Sequence, residues 1–119
     1  MNLEQLRDFC LALPGTTEAM PFGEETLVFK VKDKIFLLTS LDAEKLSFNV
    51  KCEPEKAQEL RERYPFVQPG YHMNKKHWNT ITAESSVHDD LYLDWIRHSY
   101  DRVVAGLPSK QRAELLTNQ

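Results

Sequence analysis

One hundred and nineteen residues and 13.9 kDa, 41% hydrophobic and 28% charged, read as a single globular domain over residues 1–119 with enough apolar content for a core. That length excludes a kinase, a barrel enzyme, or a dinucleotide-binding domain joined to a substrate domain, and the composition excludes wholesale disorder. Fifteen Lys+Arg against eighteen Asp+Glu leave a net charge of −3 and a pI near 5.8, which disfavours a nucleic-acid binder that is basic over its whole surface.

The start, Met1-Asn2-Leu3-Glu4-Gln5-Leu6-Arg7-Asp8, carries charge where a secretory signal needs an apolar stretch. The best apolar run, Ile35-Phe36-Leu37-Leu38, falls far short of the ~20 residues that span a bilayer, so no membrane association is expected. Two cysteines make no disulfide framework, and a reduced, cytoplasmic protein is the expectation.

Taken in chain order, Leu3, Leu6, Cys10 and Leu13 recur at spacings of three and four, predicting a helix capped by Asn2 and stopped by Pro14-Gly15. An acid-rich connection follows from Glu18 to Glu25. Thr26–Val31, Ile35–Thr39 and Leu46–Val50 are rich in β-formers and joined by short polar links, first Lys32-Asp33-Lys34 and then a loop at Asp42-Ala43-Glu44. They predict three antiparallel strands, the last alternating Leu46, Phe48 and Val50 inward. Pro54 suits a first helical position, and a second helix runs to about Arg63, with Ala57, Leu60 and Tyr64 inward and glutamates and arginines outward. Pro65 and Pro69-Gly70 break it. Tyr71-His72-Met73 and Trp78–Thr82 then read as two strands around Asn74-Lys75-Lys76-His77. Ser86 with Asp89 matches a capping box for a last long helix, whose broad face holds Leu91, Tyr92, Trp95, Ile96, Tyr100 and Val103. Gly106-Leu107-Pro108 ends it, and one or two further turns follow from Ser109. The order is α-β-β-β-α-β-β-α, an α+β fold on an antiparallel sheet.

Charge is unevenly spread along this chain. Up to Thr26 the only basic residue is Arg7, against Glu4, Asp8, Glu18, Glu24 and Glu25. Tyr64 to Ala83 contains no acid and gathers Tyr71, His72, Asn74, Lys75, Lys76, His77, Trp78 and Asn79. Lysines neutralise phosphates, Asn amides read base edges, and aromatic rings stack on bases, so this hairpin suits a phosphate-bearing ligand. The same residues have a structural reading. Lysines at a hairpin tip are commonly a solvated turn, His72 and His77 can bond backbone groups, and Trp78 can pack under the last helix.

Metal chemistry is disfavoured, because Lys75 and Lys76 stand between His72 and His77 and no H-x-x-x-H or C-x-x-C spacing occurs. Cys52, beside Lys51, is the one thiol near basic groups, while Cys10 belongs to an apolar face. With no P-loop, G-x-G-x-x-G or G-x-S-x-G, neither a cofactor nor a catalytic role is expected.

The segment Pro69-Gly70-Tyr71-His72-Met73-Asn74-Lys75-Lys76-His77-Trp78-Asn79-Thr80-Ile81, with its H-x-N-K-x-H-W string, resembles the MmcQ/YjbR family of small bacterial proteins. The likeness extends over nearly the whole chain, through Leu13–Glu18, Pro21-Phe22-Gly23, Lys51–Glu55, His98-Ser99-Tyr100 and Val104–Pro108. The resemblance implies a two-layer α/β sandwich with helices on one face of the sheet, and DNA binding through a double-wing arrangement of hairpins. It points to His72, Asn74, Lys75, Lys76, His77 and Trp78 in the second wing and to Lys32 and Lys34 in the first wing; apart from the resemblance, Lys51 is expected to add charge from the sheet to a DNA-binding surface. Asp33 stands where relatives commonly carry glycine, and an acid there opposes phosphate contact. Because the chain is acidic overall, a homodimer pooling two basic patches is expected if DNA is bound. The alternative is a non-catalytic domain holding a protein or small ligand on a concave, aromatic-lined sheet surface.

Overall fold

Asn2 opens the first helix as its side-chain chemistry requires. The structure, a computed structural model describing residues 1–70 and 73–117, has Asn2 Oδ1 accepting from the Gln5 N–H at 2.8 Å while Gln5 Oε1 accepts from the Asn2 N–H at 3.0 Å. This reciprocal box starts α1 (Leu3–Ala12), which buries Leu6 and Cys10. Gly15, at φ +73°, turns the chain, and any side chain there would collide with Leu115.

The chain then forms β1 (Thr16–Ala19), followed by β2 (Thr26–Val31), β3 (Lys34–Ser40) and β4 (Ser47–Lys51). Lys32 and Asp33 both have positive φ, 49° and 63°, the mirror-image turn that matches the twist of a two-residue hairpin. Next come α2 (Pro54–Arg63), β5 (Val67–Pro69), β6 (Trp78–Thr82), α3 (Asp89–Ala105) and α4 (Ser109–Thr117). The strands form one antiparallel sheet in the order β1-β2-β3-β4-β6-β5.

Alternation divides the sheet into two faces. Leu27, Thr39, Phe48, Ile81 and Val67 lie in one row across β2, β3, β4, β6 and β5, and Leu37, Val50 and Asn79 in another. The apolar members of these rows join Leu6, Cys10, Ala57, Leu60, Tyr92, Trp95, Ile96 and Tyr100 in one core between sheet and helices. Aromatic rings knit it: Tyr92 meets Phe48 edge-on at 6.2 Å and Phe66 at 6.0 Å, and Tyr64 meets Trp95 at 5.2 Å. Each such side chain taken from water contributes about 1.5–3 kcal/mol.

Ser99 marks where the pairing of β3 with β4 stops. The ladder runs Thr39–Phe48, Leu38–Asn49 and Leu37–Val50, and Phe36 is the bulged residue beyond it. Ser99, wholly buried on α3, donates its Oγ–H to the Phe36 carbonyl at 2.5 Å and accepts from the Lys51 N–H at 2.8 Å. One hydroxyl replaces the backbone bond that the bulge removes.

The fold class is the expected α+β, with a more elaborate element order. Glu18 and Ala19, read as part of a connection, belong to a strand that pairs Thr16–Ala19 with Val28–Val31. The strand before the basic hairpin is Val67–Pro69. Of the strand expected at Tyr71-His72-Met73, Tyr71 and His72 lie outside the described residues and Met73 sits in a bend. Helix α3 is capped by His88, whose Nδ1 accepts from the Asp90 N–H at 3.2 Å. Ser86 instead sits in a turn closed by the Val87 N–H to Glu84 carbonyl bond.

Candidate functional site

The face of the sheet away from the core has a simple composition. Val28, Leu38, Asn49, Thr80 and Gln68 form its central row, with Lys30 beside Ile35 on one flank and Lys51 beside Trp78 on the other. Among the described residues Glu18 is the only carboxylate on a strand, and it lies on the covered side, 2.8 Å from Arg7 of α1. The open face therefore carries lysines, amides and hydroxyls with no strand carboxylate to oppose them.

The hairpin leading into β6 stands at the Lys51 corner. Asn74 Oδ1 accepts from the Lys76 N–H at 2.9 Å, and the Asn74 carbonyl accepts from His77 and Trp78 at 3.2 and 3.0 Å. Asn74 is thus a turn-former, although its side chain is exposed. The Cys52 N–H donates to the His77 carbonyl at 2.7 Å, carrying the β4–β6 pairing into the turn and setting Lys51 next to it. Gly70 donates to the Trp78 carbonyl at 2.7 Å, and a Cβ on Gly70 would come within 2.7 Å of Trp78 Cβ. That close approach requires glycine. Lys75 and Lys76 are exposed, and among the described residues neither they nor Lys51 have a carboxylate within ion-pair distance.

The other expected site residues fare differently. His72 lies outside the described residues. His77 is half-buried, and its Nδ1 has no partner among the described residues. Trp78 is half-buried on the open face, because its neighbour Asn79 points at α2; it does not pack under α3. Lys32, in the first hairpin, is committed to Glu114 of α4 at 2.7 Å, whereas Lys34 is exposed.

Arg61 on α2, read from the sequence as outward-facing, instead holds the hairpin. Its Nε donates to Asn79 Oδ1 at 2.6 Å, and its Nη2 donates to the carbonyls of Trp78, at 3.1 Å, and Lys75. Asn79, 1% exposed, passes the link on to the Ala57 carbonyl at 3.2 Å. The available signal was the spacing Ala57–Arg61, one helical turn, which puts Arg61 on the inward stripe.

Above the central row lies a cavity of about 650 Å³, floored by Ile35, Leu38, Asn49 and Thr80 and flanked by Phe22 and Met73. Among the described residues no charged side chain lines it. Phe22 is 64% exposed, high for a phenylalanine. The Thr80 hydroxyl donates to Asn49 Oδ1, which leaves the Asn49 Nδ2 protons without an acceptor among the described residues.

Both thiols are free and buried. Burial pushes Cys10 up to about 12, and Cys52 is raised too, by burial against the opposing pull of Lys56 and Arg102. Each is therefore a poor thiolate nucleophile at neutral pH. Among the described residues, no group of three or more His, Cys, Asp or Glu could hold a metal ion, and no helix is long and apolar enough to cross a membrane.

A family model described as YjbR matches residues 11–102. The chain is 37% identical over 109 residues to the uncharacterized protein YbdF of Escherichia coli O157:H7, covering 92% of this chain and 89% of that protein. It is 28% identical over 116 residues to the uncharacterized protein YjbR of Escherichia coli K12, covering 98% of each. Among solved structures, Deinococcus radiodurans DR2400 superposes with a TM-score of 0.90 at 39% identity, covering 96% of this chain and 87% of that one. A Pseudomonas syringae protein superposes at 0.71 with 26% identity, covering 83% and 96%. With the family model matched over residues 11–102 and a relative 37% identical across most of both chains, this chain belongs to the YjbR family.

Proposed function

We propose that this domain binds nucleic acid without catalysing a reaction on it, using the open sheet face and the Asn74–Trp78 hairpin at its corner. The observation that carries this reading is the sorting of charge: among the described residues no strand position on the open face is a carboxylate, while Lys51 and Trp78 face one another there and Lys75 and Lys76 extend beside them without an ion-pair partner. Lysines supply sequence-independent phosphate attraction, and an aromatic at the same corner supplies a surface for a base. The contact is one-winged, since Lys32 is neutralised by Glu114 and Asp33 stands at the first turn. With one small cationic corner on an acidic chain, two copies acting together would bind far more strongly than one, and a homodimer on the polymer is part of the proposal.

Fluorescence anisotropy with labelled DNA at low salt tests it. Lys51→Ala with Lys75→Ala and Lys76→Ala should weaken binding at least about tenfold and shallow the log–log salt slope by about 2–3. Sedimentation of the complex should give two chains per short oligonucleotide. Wild-type protein that binds no nucleic acid at low salt would remove the reading. A second reading, a small-ligand domain, draws support from the uncharged cavity above Leu38 and Asn49.

A further inference from the structure

We propose that the open-face cavity receives one unpaired base of a single-stranded nucleic acid, with that nucleotide's phosphate set against Lys51. The inference rests on the nucleic-acid reading above and names the form of ligand that the site takes. A duplex presents groove edges and phosphates, and a hairpin tip suffices to touch them. The cavity, by contrast, lies on the sheet itself, and only a base freed from pairing and stacking reaches it.

Its chemistry matches such a base. A nucleobase is planar, neutral and amphipathic, and the described lining of the cavity is uncharged, with an apolar floor at Ile35 and Leu38. Its volume of about 650 Å³ falls inside the ~300–1,000 Å³ range of small-molecule sites. Phe22, in the loop before β2, offers an exposed ring to the cavity, and Met73 adds a polarisable thioether to its lining. Every base carries carbonyl or ring-nitrogen acceptors, and the unclaimed Nδ2 protons of Asn49 are donors for them.

The charges lie where the rest of the nucleotide would be. Lys51 is two residues along β4 from Asn49 and on the same face, so the two side chains are about 7 Å apart along the strand. A base held at Asn49 therefore has its own phosphate within reach of the Lys51 ammonium. Trp78, directly across from Lys51, is placed to meet the next base of the strand, and Lys75 and Lys76 the next phosphates. Uncharged surface for the base and unpaired cation for the phosphate are the complementarity that commits the site to this occupant.

The test compares four labelled or competing probes at one low salt concentration: a twelve-nucleotide thymidine strand, the same length of duplex, the same strand with abasic sites throughout, and thymidine monophosphate. The single strand should bind at least about tenfold more tightly than the duplex and than the abasic strand, and the mononucleotide should compete only weakly. Phe22→Ala, at an exposed position that leaves the core intact, and Asn49→Ala should each weaken single-strand binding about fivefold or more while duplex binding stays unchanged. Duplex or abasic strand binding as tightly as the thymidine strand would overturn this inference and leave nucleic-acid binding standing. A mononucleotide as strong as the strand would assign the cavity to a free nucleotide instead. Loss of binding to all polymers would remove both readings together.

Discussion

Ser99 and His98 are neighbours on α3, and each answers to a different backbone group at the same seam. Ser99 bridges β3 and β4, while His98 Nε2 accepts from the Glu53 N–H at 3.4 Å, just ahead of α2. Burial first, then the charges of Lys56 and Arg102, hold His98 below its ordinary value of 6.5, with Asp101 and Glu53 pulling the other way. The folded protein therefore takes up this proton less readily than the unfolded chain. Its stabilising share is complete above 6.5, falls as pH drops from there through the lowered folded value, and levels off below it. Protonation also removes the lone pair that Glu53 uses. Thermal melts from about pH 7.5 to about pH 5 should show stability falling with acid, and His98→Gln, which keeps an acceptor but does not titrate, should flatten the fall. An unchanged slope in that variant would acquit His98.

At the scale of elements, the basic hairpin owes its position to α2 as much as to its own turn. Arg61→Ala would leave buried Asn79 short of a donor and release the carbonyls of Lys75 and Trp78, so it should cost about 1–3 kcal/mol in urea unfolding and speed hydrogen exchange at the Lys76–Trp78 amides. Lysine should restore little, because it lacks the planar fork that serves several acceptors at once. Unaltered exchange at those amides would break the link between helix and hairpin. The strongly patterned elements were legible in the sequence: the stripe of α1 with its Asn2 cap, the alternation of β4, Pro54 at the first turn of α2, and the long face of α3. Glu18 hid β1, because a carboxylate in a four-residue run reads as loop until Arg7 of another element is there to meet it. Pro69 hid β5, since proline argues against a strand except at a sheet edge, which is where β5 lies. His88 displaced Ser86 as the cap because a turn over 84–87 had already used the serine's neighbourhood. Of the site, the hairpin lysines and Trp78 were legible from an acid-free stretch, but the cavity was not. Phe22, Leu38, Asn49 and Thr80 come from four separate segments, and no local pattern ties them together.

For the whole molecule, the net charge of −3 describes neither face. Carboxylates stand on the helices, on the connecting loops and, as Glu18, on the covered side of β1, and the open face has none on its described strands. Charge is sorted locally even though its total is small, with Lys51, Lys75 and Lys76 gathered at one corner of the sheet. If nucleic acid is the ligand, as proposed, such a corner turns the molecule toward the polyanion before contact, so that rotation as well as net attraction governs productive encounter. Stopped-flow association with DNA should slow steeply as salt is raised while dissociation changes little, and Lys30→Glu, on the open face beyond the hairpin, should slow association more than it speeds release. Equal effects of salt on both rates would mean that the charges act only after contact. For the proposed ligand the cationic corner is thus also an orienting handle, one that acts at a distance before any contact is made.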